Sequence, residues 1–202
     1  MLKETASQTA GPYLHIGMMP VAAGIELRKE EEPHRLARQG AAGERIRLEG
    51  TVVDGEGALV RDALIEIWQA NAHGRYDHPA DWQDRPRDPN FQGFGRAVTD
   101  FKTGLWWFET VKPGRVMGRG DRLMAPHINV AVFARGINIH LNTRIYFADE
   151  ADANAEDPVL NLIEQEARRA TLLAHPQQGQ GPTTYRFDIR LQGDKETVFF
   201  DV

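Results

Sequence analysis

The stretch Lys112–Arg135, KPGRVMGRGDRLMAPHINVAVFAR, decides how the rest of the chain is read. From Pro126 onward it alternates. Ile128, Val130 and Val132 fall on one face of an extended strand, and His127, Asn129, Ala131 and Phe133 fall on the other. A loop rich in Gly and Arg precedes the strand, so His127 and Asn129 point the same way at a strand start beside a loop. Histidine at both positions would make a two-nitrogen metal clamp. The neutral amide oxygen of Asn129 donates far less to a redox metal than an imidazole does. The function read from this sequence turns on that missing imidazole.

Working outward, the same period of two recurs. Asn138–Phe147 sets Ile139, Leu141, Thr143 and Ile145 against Asn138, His140, Asn142 and Arg144. Upstream, Ile46–Glu49 alternates, Asp54–Gly57 signals a tight turn, and Ala63–Gln69 predicts a strand with Ile65 and Ile67 on one face. Residues 71–95 are rich in Gly, Pro, Asp and Asn and too long for a turn, a pattern more often functional than idle. Arg96–Asp100 and Leu105–Val111, joined through Lys102–Gly104, predict a hairpin.

Downstream, Asp157 as cap, Pro158 at the first helical position and an apolar stripe of Val159, Leu160, Leu162 and Ile163 predict a helix, with a further helical piece at Glu164–Ala174. Gln177–Pro182 reads as a loop. Tyr185, Phe187, Ile189 and Leu191 mark a strand, and Thr197–Val202 predicts a terminal one. About eight short strands with turn signals point to an all-β fold, a β-sandwich with a small helical insert around 157–174. Residues 25–202 form its single domain, and the charged segment 26–45 is expected to be a short solvated helix or loop without function. Residues 1–24 lack an amphipathic period. They read either as an extended arm lying on another surface or as a frayed terminus.

Composition excludes several classes. The formal net charge of −5 argues against nucleic acid or an anionic membrane surface as partner. No apolar run reaches the roughly 20 residues that span a bilayer. The N-terminus lacks the basic-then-apolar order of a secretory signal, so a cytoplasmic bacterial-type enzyme or enzyme subunit is expected. Without cysteine there is no disulfide, thiolate ligand or cysteine nucleophile.

With the strands placed, segments along nearly the whole chain resemble the intradiol ring-cleaving dioxygenases, in that family's order. They are SQTAGPY (7–13), ALIEIWQANAHGRY (63–76), DPNFQGFGR (88–96), VKPG (111–114), APHIN (125–129), 145–147, 158–162 and YRFDI (185–189). The resemblance implies the family's β-sandwich. It also implies a mononuclear non-haem ferric ion held by two tyrosinates and two histidines, on which a catechol chelates. Hard anionic phenolates suit Fe(III). Carried over by position, the first ligand tyrosine matches Tyr76 and the second falls on Val116. The histidine pair falls on His127 and Asn129, and an arginine three residues before the first histidine falls on Met124. The resemblance thus leaves this chain no metal set, only the vestigial positions Tyr76, Val116, His127 and Asn129.

That loss resembles the non-metal chain in the branch of the family built from two homologous chains, alpha and beta, of which only beta binds iron. The SQTAGPY arm and RGINIHL (135–141) are similar to alpha. The resemblance implies an alpha subunit, inactive alone and without a catalytic residue of its own. Paired with a ferric beta subunit, it would take part in converting 3,4-dihydroxybenzoate and O₂ into 3-carboxy-cis,cis-muconate. It further implies that Thr9, Gly11, Pro12, Tyr13 and Arg135 reach the beta pocket. The residue types suit this. Gly11-Pro12 gives a fixed, close-approaching backbone, and Tyr13 an aromatic wall with a polar tip. Arg135 can meet the carboxylate of an acidic catechol or a group at the subunit contact. Two alternatives remain open: a single-chain intradiol dioxygenase with another ligand set, and a non-catalytic binding module on the same sandwich.

Overall fold

The alternation of the sequence becomes a curved sheet folded over its own core. The computed structural model describes residues 3, 6–27, 31–177, 179 and 181–201. Among these residues nine strands follow in chain order: β1 (Arg45–Val53), β2 (Leu64–Gln69), β3 (Phe94–Val98), β4 (Leu105–Val111), β5 (His127–Phe133), β6 (Leu141–Phe147), β7 (Leu173–Gln177), β8 (Thr183–Arg186) and β9 (Ile189–Arg190). They pair in the order β3-β2-β5-β6-β7-β8-β1-β4, with β9 beside β1. The antiparallel group β3-β2-β5-β6 faces the group β8-β1-β4, and β7 bends the ladder from one half to the other.

The core lies between the halves. Ile46 and Leu48 of β1 and Trp106 and Phe108 of β4 pack with Ile65 and Ile67 of β2, Ile128 and Val132 of β5, and Ile145 and Phe147 of β6. Each large side chain removed from water there contributes about 1.5–3 kcal/mol. The period-two reading holds for these core positions, but the strand expected over Asn138–Phe147 begins only at Leu141 and leaves Ile139 exposed in the connection before it. The tight turn at Asp54 forms, its carboxylate accepting the N–H groups of Glu56 and Ala58 at 2.9 Å.

Several expectations fail. Arg96–Asp100 and Leu105–Val111 do not make a hairpin: β3 pairs with β2 and β4 with β1, so the connection crosses between the halves. Alternation around a short turn looks the same in either case; only the partners differ. The segment within 26–45 is not idle either, although Arg28, Lys29 and Glu30 lie outside the described residues. Leu36 and Ala37 are buried. The Leu36 N–H donates to Glu109 of β4 (2.8 Å), while the Leu36 carbonyl accepts from Gln92, just before β3 (3.0 Å). This segment thus stitches the two edge strands together and covers their open backbone groups.

The helix expected after Asp157 shrinks to one 3₁₀ turn, Leu160–Leu162. Asp157 does accept the N–H groups of Val159 and Leu160, but Leu162 is exposed and no stripe forms. The helices in this region are α2 (Ala151–Glu156) and α3 (Glu166–Arg169). The strand expected through Tyr185–Leu191 is broken between β8 and β9. There the Phe187 carbonyl packs against Gly50, where no Cβ would fit, and the Asp188 carboxylate accepts the Thr51 N–H and hydroxyl. The terminal segment 197–201 forms a single bridge, Asn142 with Phe200, in place of a strand; Val202 is outside the described residues. Gln178 and Gln180 of the expected 177–182 loop are outside them as well.

The arm is not wholly extended. α1 (Pro12–Met18) begins with Pro12 at its first turn, after Gly11 in extended conformation. Met1, Leu2, Glu4 and Thr5 are outside the described residues. No helix among the described residues is long and apolar enough to cross a membrane.

Candidate functional site

The four positions aligned with the expected ligand set, spread over more than fifty residues of sequence, meet at the start of β5. A short loop delivers Tyr76. The Asn71 side-chain oxygen accepts the N–H groups of His73 and Arg75, and Gly74 takes a positive φ of 76° where a Cβ would collide with the Arg115 carbonyl. The Asp81 carboxylate then accepts the Tyr76 N–H at 2.7 Å. The Tyr76 ring stacks on Trp68 of β2 at 5.8 Å between centroids. β5 supplies His127 and Asn129 from its outer face, and Val116 packs with Ala70 and Met124 beneath Tyr76.

These groups satisfy one another. His127 Nδ1 lies 2.8 Å from the Ala125 carbonyl, so it carries the proton and donates; Nε2 is left as the acceptor facing the Tyr76 hydroxyl at 3.4 Å. The Asn129 amide donates to the Trp68 carbonyl (3.2 Å) and to the Tyr76 oxygen (3.3 Å). Burial, assisted by Arg144, pushes the His127 pKa down to about 4, and burial raises that of Tyr76. Both groups are neutral near pH 7.

Arg144 of β6 sits directly across from Asn129 in the ladder and reaches the Met124 sulfur at 3.5 Å. No carboxylate pairs with it among the described residues. This donor set does not fit a ferric ion. It offers one protonated phenol, one imidazole already engaged, an amide used as donor, an isopropyl group and a fixed positive charge, where hard anionic oxygens are needed. Nor do three His, Asp or Glu side chains converge as a possible metal set among the described residues. Arg144 was legible as an outer-face residue of its strand. Its approach to the ligand positions depended on a β5–β6 register that the sequence does not specify.

The other five candidates gather elsewhere. Thr9 accepts the Gly136 N–H on its hydroxyl oxygen at 2.7 Å, fixing the arm to the connection after β5. Gly11, Pro12 and Arg135 border one cavity of about 340 Å³ with His15, Asp62 and Phe101. Thr9 and Tyr13 line a neighbouring cleft with Phe133 and Ile139. Tyr13 is 84% exposed. Arg135 is ion-paired through Nε with Asp62, yet its side chain stays 73% exposed. His15 is buried, its ring 5.9 Å from that of Phe101, and its Nε2 has no hydrogen-bond partner. His15, Asp62 and Phe101 were not singled out in the sequence, because each acquires meaning only where the arm lands. The connections β1–β2, β3–β4 and β5–β6 all meet the arm at this end of the sandwich. It is separated from His127 by the length of β5, about 20 Å at ~3.3 Å per residue.

Comparison with known proteins agrees on the family. A family model described as "Dioxygenase" matches residues 23–193. The protocatechuate 3,4-dioxygenase alpha chain of Pseudomonas putida is 55% identical over 201 residues, covering 100% of this chain and 98% of that one. The protocatechuate 3,4-dioxygenase beta chain of Burkholderia cepacia is 38% identical over 161 residues, 77% of this chain and 67% of that one. Among solved structures, the dioxygenase domain of a carbohydrate-binding fusion from Streptomyces sp. SirexAA-E shares the fold, with a TM-score of 0.57 at 21% identity over 82% of this chain and 88% of that one.

Proposed function

The chain belongs to the intradiol ring-cleaving dioxygenase family, and we propose that within it the chain is the alpha subunit of a protocatechuate 3,4-dioxygenase. In this reading it pairs with a homologous beta subunit that holds Fe(III), while its own vestigial pocket binds none. The partner's ferric ion supplies the redox chemistry of ring opening. The complex, a cytoplasmic enzyme, converts 3,4-dihydroxybenzoate and O₂ into 3-carboxy-cis,cis-muconate.

The separation of the two clusters along β5 carries this reading. Thr9, Gly11, Pro12, Tyr13 and Arg135 stand at the end of the strand remote from Tyr76 and His127, so they cannot turn back on this chain's own ligand positions. Their exposed groups face outward and suit a pocket on another subunit. There the Gly11-Pro12 backbone approaches closely, Tyr13 walls the cleft against water, and Arg135 meets an anionic group.

The test is co-expression with the cognate beta chain. The complex should turn over 3,4-dihydroxybenzoate and contain iron in proportion to beta, while this chain purified alone should contain neither stoichiometric iron nor activity. A burgundy tyrosinate-to-iron absorption in the isolated chain would overturn the proposal. So would failure to co-elute with beta.

A further inference from the structure

We infer that Asp62, at the β1–β2 connection, is the positioning residue that aims Arg135 at the carboxylate of the substrate held in the partner's cleft. This rests on the placement of Arg135 in that cleft. The guanidinium is planar and forked, with a side edge containing Nε and an end edge formed by the two terminal nitrogens. Asp62 approaches through Nε, which leaves the end edge open. The Asp62 side chain is 23% exposed against 73% for Arg135, so the acceptor is sheltered while the donor it holds projects outward. Among the described residues the Asp62 carboxylate has no second ion-pair partner.

The surroundings fit this role. Asp62 and Arg135 come from different inter-strand connections, and the arm closes over them, with Gly11, Pro12 and His15 lining the shared cavity. A long exposed arginine would otherwise sample many rotamers, and an anion would meet it in the open geometry only part of the time. Holding one edge fixes the plane of the other, which favours bidentate engagement of a planar carboxylate. Asp62 also offsets the charge of Arg135, so the contribution is direction more than long-range attraction. Asp62 acts only through Arg135 and touches no substrate.

The experiment uses the assembled alpha–beta complex. Asp62→Asn should raise KM for 3,4-dihydroxybenzoate about five-fold, less than the loss of Arg135 itself because the guanidinium stays, with kcat within about two-fold. The inhibition constant of catechol as a competitor, which lacks the carboxylate, should stay within about two-fold. Asp62→Glu should recover much of the loss, and Asp62→Asn added to Arg135→Ala should have no further effect. An Asp62→Asn complex with unchanged KM, alongside an impaired Arg135→Ala complex, overturns this inference alone. If Arg135→Ala is itself without effect, the fault lies in the placement of Arg135. Equal losses for catechol and 3,4-dihydroxybenzoate, or a complex that falls apart, would make Asp62 a merely structural contact and overturn the inference as well.

Discussion

The two ends of β5 hold opposite kinds of polar chemistry. At its start, His127 is buried, Tyr76 and Asn129 are half-buried, and the three spend their donors and acceptors on one another and on backbone carbonyls. At its far end, Tyr13 and Arg135 hold theirs out to solvent, steadied by Asp62 and by the Thr9–Gly136 contact. Buried polar groups that satisfy each other stabilise a fold, and exposed ones held by a single anchor are available to something else. The same strand thus carries one cluster whose polar groups are spent within the chain and another whose polar groups are held out to solvent.

The largest effect is expected where the polar groups are buried. His127→Ala should destabilise the chain by about 3 kcal/mol, since it opens a cavity, leaves the Ala125 carbonyl unpaired and takes the acceptor from the Tyr76 hydroxyl proton. Iron content of the assembled complex should not change. Denaturant unfolding together with metal analysis measures both, and iron loss would mean that the first end of β5 is still a metal site.

The same imidazole sets a pH dependence. Its pKa is held at about 4 in the fold, against an ordinary value of 6.5. Between these values the unfolded chain binds the extra proton, so this contribution is whole above about pH 6.5 and is lost as pH falls toward 4, at most roughly 3 kcal/mol. Urea midpoints followed from about pH 7 to pH 4.5 should lose much of this slope in His127→Gln. A slope that persists there would assign it to another group.

At the far end the balance should reverse. Arg135→Ala and Tyr13→Ala in the complex should each lower kcat/KM for 3,4-dihydroxybenzoate by about ten-fold while leaving stability within ~0.5 kcal/mol. Variants that unfold early but turn over normally would erase the contrast between the ends. The smallest effect is reserved for Thr9→Ala, which removes one exposed acceptor and should cost about 0.5–1.5 kcal/mol locally. Faster amide exchange at Gly136, without a change in the global unfolding midpoint, would mark the loosened arm.

Much of this architecture was legible beforehand because burial on one face of a strand imposes a period of two. Ile46 and Leu48, Ile65 and Ile67, and Ile128, Val130 and Val132 all lie where alternation put them. Partners were harder to read. The hairpin expected around Lys102–Gly104 became a crossing between halves, and the charged stretch around Leu36 became the stitch between two edge strands, since backbone hydrogen bonds leave no mark on side-chain pattern. Leu162 looked like part of an apolar stripe and is exposed, because a single 3₁₀ turn does not sustain a face.

By itself the sequence determined the family, the strands and the identity of the groups that a ferric ion would find here, because residue types and their spacing set local geometry and donor chemistry. Only the tertiary structure decided which distant groups meet. It put Arg144 opposite Asn129, brought the arm against Asp62 and Arg135, and separated both from Tyr76 by the length of β5. Register and docking are fixed by packing between segments far apart in the chain, and no local pattern encodes that.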